Sequence, residues 1–215
     1  MTTPQKIAAL NSIALEIRSF KGLEIARNAI NSVPGEGSPD ARIFFIGEAP
    51  GELEDQTGRP FVGRSGQLMR TTLTQVMGIV PEEIFITNIV KFRPPANRDP
   101  TESEIEACRE WLDRQIQIIE PKVIVTLGRF SMAKFIHDVT ISKIHGQPRF
   151  SDFSGQKIMV FPMYHPAAAL RATAVLTQFK EDFQKLYNLL YPGAVSSAPI
   201  PTDQATPDPQ LELFG

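Results

Sequence analysis

The chain has 215 residues, with 22 Lys and Arg, 24 Asp and Glu, three His and one Cys, a length that suits one α/β domain or at most two small ones. A formal net charge of −2 excludes a protein that binds polyanions through its overall charge, although it allows a local basic patch. The single cysteine excludes an internal disulfide framework and any metal or iron–sulfur site built from four cysteines.

The N-terminal segment is predicted to form an amphipathic helix and not a secretory signal. Apolar residues recur at helical spacing along residues 1–17, MTTPQKIAALNSIALEI, with polar residues between them. No apolar run in the chain approaches the roughly 18–20 residues needed to cross a bilayer. We therefore expect a cytoplasmic protein without a membrane partner.

Four short apolar runs are predicted to be strands: 41–47, 84–90, 123–127 and 157–163. Helical patterns lie between and after them at 65–78, 102–119, 129–137 and 172–191. The second of these helices has Thr101 as its N-cap and Glu104 as the capping-box partner. Strands that alternate with helices indicate an α/β protein, a three-layer α/β/α domain around a four-stranded, mainly parallel sheet.

The composition changes at Pro192. The last 24 residues hold five of the 18 Pro and three acidic residues, but no Lys or Arg. We predict a folded domain over residues 1–191 and a disordered, extended tail over residues 192–215. The acidic tail leaves a charge of about +1 on the domain, so any contact with a polyanion must be local.

A loop rich in Gly and Pro follows the first predicted strand. It runs from GEAPG at 47–51, through Glu54 and Asp55, to GRPFVGRSG at 58–66. Ligands of α/β sheets bind at the carboxyl ends of the strands, and glycine lets a backbone approach them closely. The same glycines could simply form turns, and neither GxGxxG nor GxxxxGKS, the phosphate-binding patterns, is present.

Two polar residues stand near the ends of later strands. Asn88 lies in a buried strand, where its carboxamide either bonds neighbouring loops or reads a base edge. One acceptor and one donor match the N3–H and O4 of uracil. His165 follows the last strand in YHPAAALR, and a lone His in such a place is more often structural than catalytic.

Taken together, these motifs resemble the family 4 uracil-DNA glycosylases of bacteria and archaea. The matching segments occur in order between about residues 18 and 190: GEAPG, ED, GRPFVG, TNIVKFRPPANRDP, EACREWLDRQI, PKVIVTLG and YHPAAALR. The resemblance implies the α/β/α fold of that superfamily. It also implies hydrolysis of the N-glycosidic bond of a flipped-out deoxyuridine, which releases uracil and leaves an abasic site in DNA.

The resemblance implies a role for each residue of the uracil site. Glu48 would be catalytic, holding the uracil or positioning the attacking water, and Ala49 would line the uracil site beside it. Phe61 would stack on the flipped base, and Asn88 would read its edge. His165 would be the second catalytic residue, a hydrogen-bond partner of uracil O2 as negative charge develops there. An Asp that activates water elsewhere in the superfamily is replaced here by Ala49, so the group that activates water stays open.

Contacts with DNA are expected on the loop after His165. By resemblance, Leu170 would enter the minor groove as a wedge, next to Arg171. Lys91, Arg93 and Arg98, like Arg171, could contact phosphates or be ordinary surface charges.

The cofactor is the point at which the chain departs from the family pattern. Family 4 enzymes usually hold a 4Fe–4S cluster with four cysteines, whose positions align here with Arg18, Lys21, Phe92 and Cys108. Arg, Lys and Phe supply no thiolate. We therefore expect no iron–sulfur cluster, no other metal and no other cofactor, with Phe92 packed near Cys108.

The end of the tail resembles the Q-L-x-L-F peptide by which bacterial replication and repair proteins bind the sliding clamp. The matching residues are Gln210, Leu211, Leu213 and Phe214. Five residues are a short match, and apolar residues at a terminus can be incidental. The expected partners are uracil-containing DNA, single- or double-stranded, and the sliding clamp, with the chain itself a monomer.

Two other functions remain open at this point. A non-catalytic module that binds uracil-containing or abasic DNA is disfavoured because Glu48, Phe61, Asn88 and His165 are all present. A hydrolase of free nucleotides or nucleosides is disfavoured because the sequence has no phosphate loop or metal-ligand cluster.

Overall fold

A six-stranded mixed sheet is the centre of residues 1–80 and 83–193, the part of the chain that the computed structural model describes. In chain order the strands are β1 (Glu36–Gly37), β2 (Ile43–Gly47), β3 (Phe85–Asn88), β4 (Val123–Leu127), β5 (Arg149–Phe153) and β6 (Gln156–Met163). The spatial order is β1-β3-β2-β4-β6-β5. The four central strands are parallel to their neighbours, and the two edge strands are antiparallel.

Helices connect the strands and cover the sheet. They are α1 (Thr3–Ser19), α2 (Glu24–Asn28), α3 (Glu52–Thr57), α4 (Arg64–Met77), α5 (Glu102–Ile119), α6 (Arg129–Ala133), α7 (Ile141–Ile144), α8 (Pro166–Ala169) and α9 (Thr173–Leu190). The predicted N-cap of α5 is confirmed, because the backbone N–H of Glu104 donates to Thr101 Oγ1 over 3.3 Å. The reciprocal bond of the capping box, from Thr101 N–H to Glu104 Oε2, is 2.8 Å long.

Two hydrophobic clusters lie on opposite faces of the sheet. Neighbouring residues of β2 divide between them, with Phe44 and Ile46 on the face of α1 and α5, and Ile43 and Phe45 on the face of α4 and α9. Each parallel strand is therefore apolar on both sides, which explains its unbroken apolar run. The predicted α/β class with a mainly parallel sheet is confirmed, and edge strands β1 and β5 are additions to the four predicted strands.

The sheet brings the ends of the central strands to one edge. In the parallel register Gly47, the last residue of β2, is paired with Asn88, the last residue of β3. β4 and β6 end at the same edge with Leu127 opposite Met163. Among the described residues, no helix is both long and apolar enough to span a membrane.

Candidate active site

A cavity of about 570 Å³ opens at the carboxyl ends of the four parallel strands. Most of the predicted site residues line it: Glu48, Ala49, Phe61, Asn88, His165 and Arg171. Leu170 lies outside this lining, at the end of α8, with 46% of its surface exposed. The structure therefore brings together residues that are more than 100 positions apart in the sequence.

Gly47 allows the two buried walls of the cavity to meet. A Cβ atom at this position would lie 2.4 Å from Asn88 Oδ1 and 2.5 Å from Phe61 Cζ, too close for either contact. Asn88 and Phe61 are 2% and 5% exposed. A residue with any side chain at position 47 would displace one of them, so the glycine of the GEAPG motif is required for packing and not only for its turn.

The backbone of Phe61 is held in a left-handed conformation, with φ of 55°. Arg70 fixes it from α4, donating from Nε to the Phe61 carbonyl over 3.0 Å and from Nη2 to the Pro60 carbonyl over 2.8 Å. Glu36 on β1 in turn accepts from Arg70 over 2.6 Å. The ring is thus placed by an edge strand and a helix together, at a backbone conformation that costs free energy without such support.

Glu54 ties together the two glycine-rich ends of the long connection after β2, the GEAPG segment and the GRPFVG segment. Its Oε1 accepts hydrogen bonds from the backbone N–H groups of Val62 at 2.9 Å and Gly63 at 2.8 Å. Its Oε2 accepts from the N–H of Gly51 at 3.1 Å. The sequence pattern alone indicates no role for Glu54, yet this side chain, 8% exposed, holds the Phe61 loop in place.

His165 is neutral at pH 7 and oriented by the helix that it begins. Burial lowers the pKa of its imidazole to about 4. As N-cap of α8 it accepts the N–H of Ala167 at Nδ1 over 3.2 Å. A backbone N–H can only donate, so the ring proton is on Nε2, which becomes the ring's one hydrogen-bond donor. Gly128 packs against it, where a Cβ atom would lie 3.1 Å from the His165 Cβ.

Glu48 is half-buried in the same cavity beside an ion pair that the sequence analysis missed. Burial raises the pKa of its carboxyl group, the negative charge of Asp99 raises it further, and Arg129 opposes the shift. Asp99 and Arg129 pair with each other at the rim. Arg129 could have been found, because it follows the carboxyl end of a predicted strand just as His165 does.

Three cations that could contact phosphates are hydrogen-bonded or ion-paired within the protein. The Lys91 ammonium is fully buried and donates to Thr87 Oγ1, the Asn88 carbonyl and Gln115 Oε1 over 2.6, 2.8 and 3.0 Å. Burial lowers the pKa of Lys91 to about 7. Full burial excludes both alternatives left open for Lys91, a phosphate contact and a surface charge. Arg93 pairs with Glu52 at 3.6 Å and Arg98 with Glu104 at 2.7 Å.

The clamp-binding prediction falls outside the described residues. Gln210, Leu211, Leu213 and Phe214 all lie beyond Gly193, the last residue described. The division into a domain over residues 1–191 and a tail also remains a prediction.

Comparison with known proteins gives one family. The model of the uracil DNA glycosylase superfamily matches residues 34–190. A type-4 uracil-DNA glycosylase of Sulfurisphaera tokodaii is 46% identical over 187 residues, which are 84% of each chain. The type-4 enzyme of Saccharolobus solfataricus is 44% identical over 90% of each chain. That of Thermotoga maritima is 49% identical over 67% of this chain and 74% of its own.

These relatives correct the prediction that the chain has no cofactor. Type-4 uracil-DNA glycosylases are known to carry an iron–sulfur cluster, so that prediction is wrong for a chain of this group. In the part of the chain that the structure describes, however, Cys108 is the one cysteine, and no three His, Cys, Asp or Glu side chains are grouped to hold a metal ion. Because such a cluster needs four thiolates, the side chains present do not fit it, and no step below passes through it.

The matched span 34–190 contains β1 to β6 and thus every strand whose end forms the cavity. The matches to the two archaeal relatives cover 84% and 90% of the chain. The chain therefore belongs to the uracil DNA glycosylase superfamily, and within it to the type-4 group.

Proposed function

We propose that the chain is a uracil-DNA glycosylase that hydrolyses the N-glycosidic bond of a flipped-out deoxyuridine, releasing uracil and leaving an abasic site in DNA. The type-4 relatives, which bear that name, support the coarse activity. One observation of the site carries the proposal: a half-buried, neutral imidazole donor and a buried carboxamide line the same cavity.

His165 would stabilise the leaving group. Breaking the bond between sugar and base leaves negative charge on uracil, shared by O2 and O4. An Nε2–H donor placed at O2 before the reaction stabilises that charge without reorganising, an effect worth about 3 kcal/mol at comparable sites. The low pKa of His165 suits this role, because a neutral donor does not give its proton away as the charge forms.

Asn88 and Phe61 would select the base. The carboxamide of Asn88 offers its oxygen to uracil N3–H and its amino group to O4, and cytosine presents the opposite pattern at those two atoms. The Phe61 ring, 6.2 Å from the His165 ring between centroids, offers a face on which a planar base can stack. Ala49, the neighbour of Glu48 on the cavity wall, leaves room for the base beside them.

Glu48 would position the attacking water. Its raised pKa makes the carboxylate a stronger hydrogen-bond acceptor and base than that of an ordinary exposed glutamate. The water would attack the sugar carbon as the base departs, and its proton would go to the carboxylate.

Leu170 and Arg171 would act on the DNA itself. Leu170 is an exposed large apolar side chain next to the cavity and is suited to fill the place of the base that has left the stack. Arg171 lines the cavity and can reach a phosphate beside the flipped nucleotide.

The experiment is a base-release assay on single- and double-stranded oligonucleotides that carry one deoxyuridine, read as strand breaks after alkali. Wild type should leave abasic sites, and His165→Ala should do so at least about 100-fold more slowly. DNA binding without base release would contradict the proposal. That result would favour the alternative, a non-catalytic module that binds uracil-containing or abasic DNA.

A further inference from the structure

A second cavity of about 500 Å³, here called the basic cavity, lies next to the active site. Its polar and charged lining comes from α1, the turn after it, the segment before β1 and the end of α3, and includes Arg18, Lys21, Asn31, Ser32 and Arg59. Phe92 supplies an apolar wall. Nothing in the proposed chemistry uses these residues.

Two cations of the basic cavity have no acidic partner within the described residues. Arg59 is paired with Glu36, with Nε 2.8 Å from Oε2. In contrast, no ion pair reaches Arg18 or Lys21 in the described part of the chain, and the Lys21 ammonium makes only a long bond of 3.5 Å to the carbonyl of Ala26. The cavity therefore carries uncompensated positive charge.

A buried hydroxyl group in the lining also lacks a partner. Ser32 Oγ is inaccessible and makes no hydrogen bond to any residue that the structure describes. Buried polar atoms are nearly always satisfied, so this hydroxyl keeps a hydrogen-bonding capacity that the described residues do not use. Ser32 and the two cations line one cavity, and a hydroxyl donor together with positive charge fits a ligand that only accepts hydrogen bonds and carries negative charge.

Two chain segments join the basic cavity to the active site. Helix α3 has its N-cap, Gly51, in the active-site lining and its last residue, Thr57, in the lining of the basic cavity. The segment after β3 runs from Phe92 in the basic cavity to Pro94 in the active site. Six residues of helix span about 9 Å. Phosphates recur about every 3.4 Å of axis along one DNA strand, so the cavity lies about two to three nucleotides from the flipped one.

We propose that the basic cavity binds a phosphate group through Arg18, Lys21 and the Ser32 hydroxyl, and that this group is a backbone phosphate of the substrate strand. The phosphate site itself stands on the cavity, and its assignment to DNA rests on the proposed function.

The first test uses inorganic phosphate alone, titrated into the full chain at constant ionic strength with chloride as the reference salt, and followed by calorimetry and by melting temperature. Wild type should bind phosphate and melt higher. The double variant Arg18→Gln, Lys21→Gln should bind about tenfold more weakly. Ser32→Ala should also bind more weakly, yet melt no lower than wild type without phosphate, because it removes an unsatisfied hydroxyl.

The second test measures binding of single-stranded uracil oligonucleotides by fluorescence anisotropy over a range of salt concentrations. The Arg18→Gln, Lys21→Gln variant should lower the salt dependence by about 0.7 in log–log slope for each phosphate lost. A trinucleotide with uracil in the middle extends only one nucleotide to either side, too short to reach the cavity, and should bind wild type and variant equally. The matched control Lys122→Gln, Lys157→Gln removes two exposed cations at the amino ends of β4 and β6 and should leave slope and phosphate binding unchanged.

The two tests also separate the sources of the phosphate. If the Arg18→Gln, Lys21→Gln variant loses phosphate binding and also shows a lower salt dependence of oligonucleotide binding, the proposal is supported in full. Loss of phosphate binding alone supports the site with free phosphate as its ligand and overturns the assignment to DNA. If the variants and the control behave as wild type in both tests, the site is refuted. Failure of wild type to release uracil would count against the proposed function only, since the phosphate titration does not depend on it.

Discussion

His165 links the chemistry of the site to the stability of the fold. Its pKa is about 4 in the folded chain and 6.5 when unperturbed, so the unfolded chain binds more protons between these two pH values. The free energy of unfolding contributed by the neutral ring is complete above pH 6.5 and is lost as the pH falls towards 4, by on the order of 3 kcal/mol. Urea unfolding of wild type and His165→Gln at several pH values measures it as the difference between the two curves. A constant difference between pH 7 and pH 4 would refute the lowered pKa.

Asn88 provides the residue-scale test of base selection. Asn88→Asp keeps the shape of the side chain but replaces the amino donor with a second acceptor, so the contact with uracil O4 is lost. We expect uracil release to fall by about 10- to 100-fold, and the preference for uracil over cytosine to fall with it. Release is measured on otherwise identical uracil and cytosine oligonucleotides, with the exposed Asn188→Asp as control. An unchanged preference would show that Asn88 does not read the base.

At the scale of elements, the position of the Phe61 loop depends on α3. In Glu54→Gln an amide NH2 group takes the place of one carboxylate oxygen and cannot accept a hydrogen bond. The variant therefore loses either the bond from Gly51 N–H or the two bonds from the N–H groups of Val62 and Gly63. We expect a loss of about 1–3 kcal/mol in the free energy of unfolding and slower uracil release, because the Phe61 ring loses its support. Chemical denaturation and the base-release assay measure the two effects. Glu52→Gln, exposed on the same helix, should change neither, and equal effects from both variants would contradict the assignment.

The sequence predicts best the elements in which buried apolar residues recur in a regular pattern along the chain. The four parallel strands are apolar on both faces, and α5 has both an apolar stripe and a capping box. β1 has two residues, and β5 alternates exposed and half-buried positions, so neither leaves an apolar run. Short edge strands of this kind form because a neighbouring strand offers free hydrogen-bonding groups, which a local pattern does not contain.

The candidate site likewise has residues that the sequence could place and residues that it could not. Glu48, Asn88 and His165 stand at strand ends, where the parallel sheet brings them together, so the sequence could place them. The roles of Glu54 and the Asp99–Arg129 pair depend on contacts between loops that meet only in the folded chain. The burial of Lys91 could not be predicted, because a lysine normally lies at the surface and its three acceptors come together only in the folded chain.

At the scale of the whole molecule, the near-neutral charge conceals an uneven distribution. Around the carboxyl edge of the sheet several cations are held in ion pairs: Arg59, Arg93, Arg98 and Arg129. Arg18, Lys21 and Arg171 have no acidic partner among the described residues. A DNA strand would therefore bind through a few specific contacts and not through a broad positive electrostatic field. Its affinity would depend on salt concentration through the small number of phosphates contacted.

The acidic tail makes the last prediction, because its terminal QLELF resembles a sliding-clamp peptide. A short segment with two apolar anchors and a Gln fits a groove on a partner without any change in the enzyme's own site. Deletion of residues 210–214, or Leu213→Ala with Phe214→Ala, should abolish capture by a bacterial sliding clamp while uracil release from a free oligonucleotide stays at the wild-type rate. Thr206→Ala, outside the peptide in the same tail, should bind the clamp normally. Pull-down and surface plasmon resonance with purified clamp measure the interaction, and clamp binding that survives the deletion would refute it.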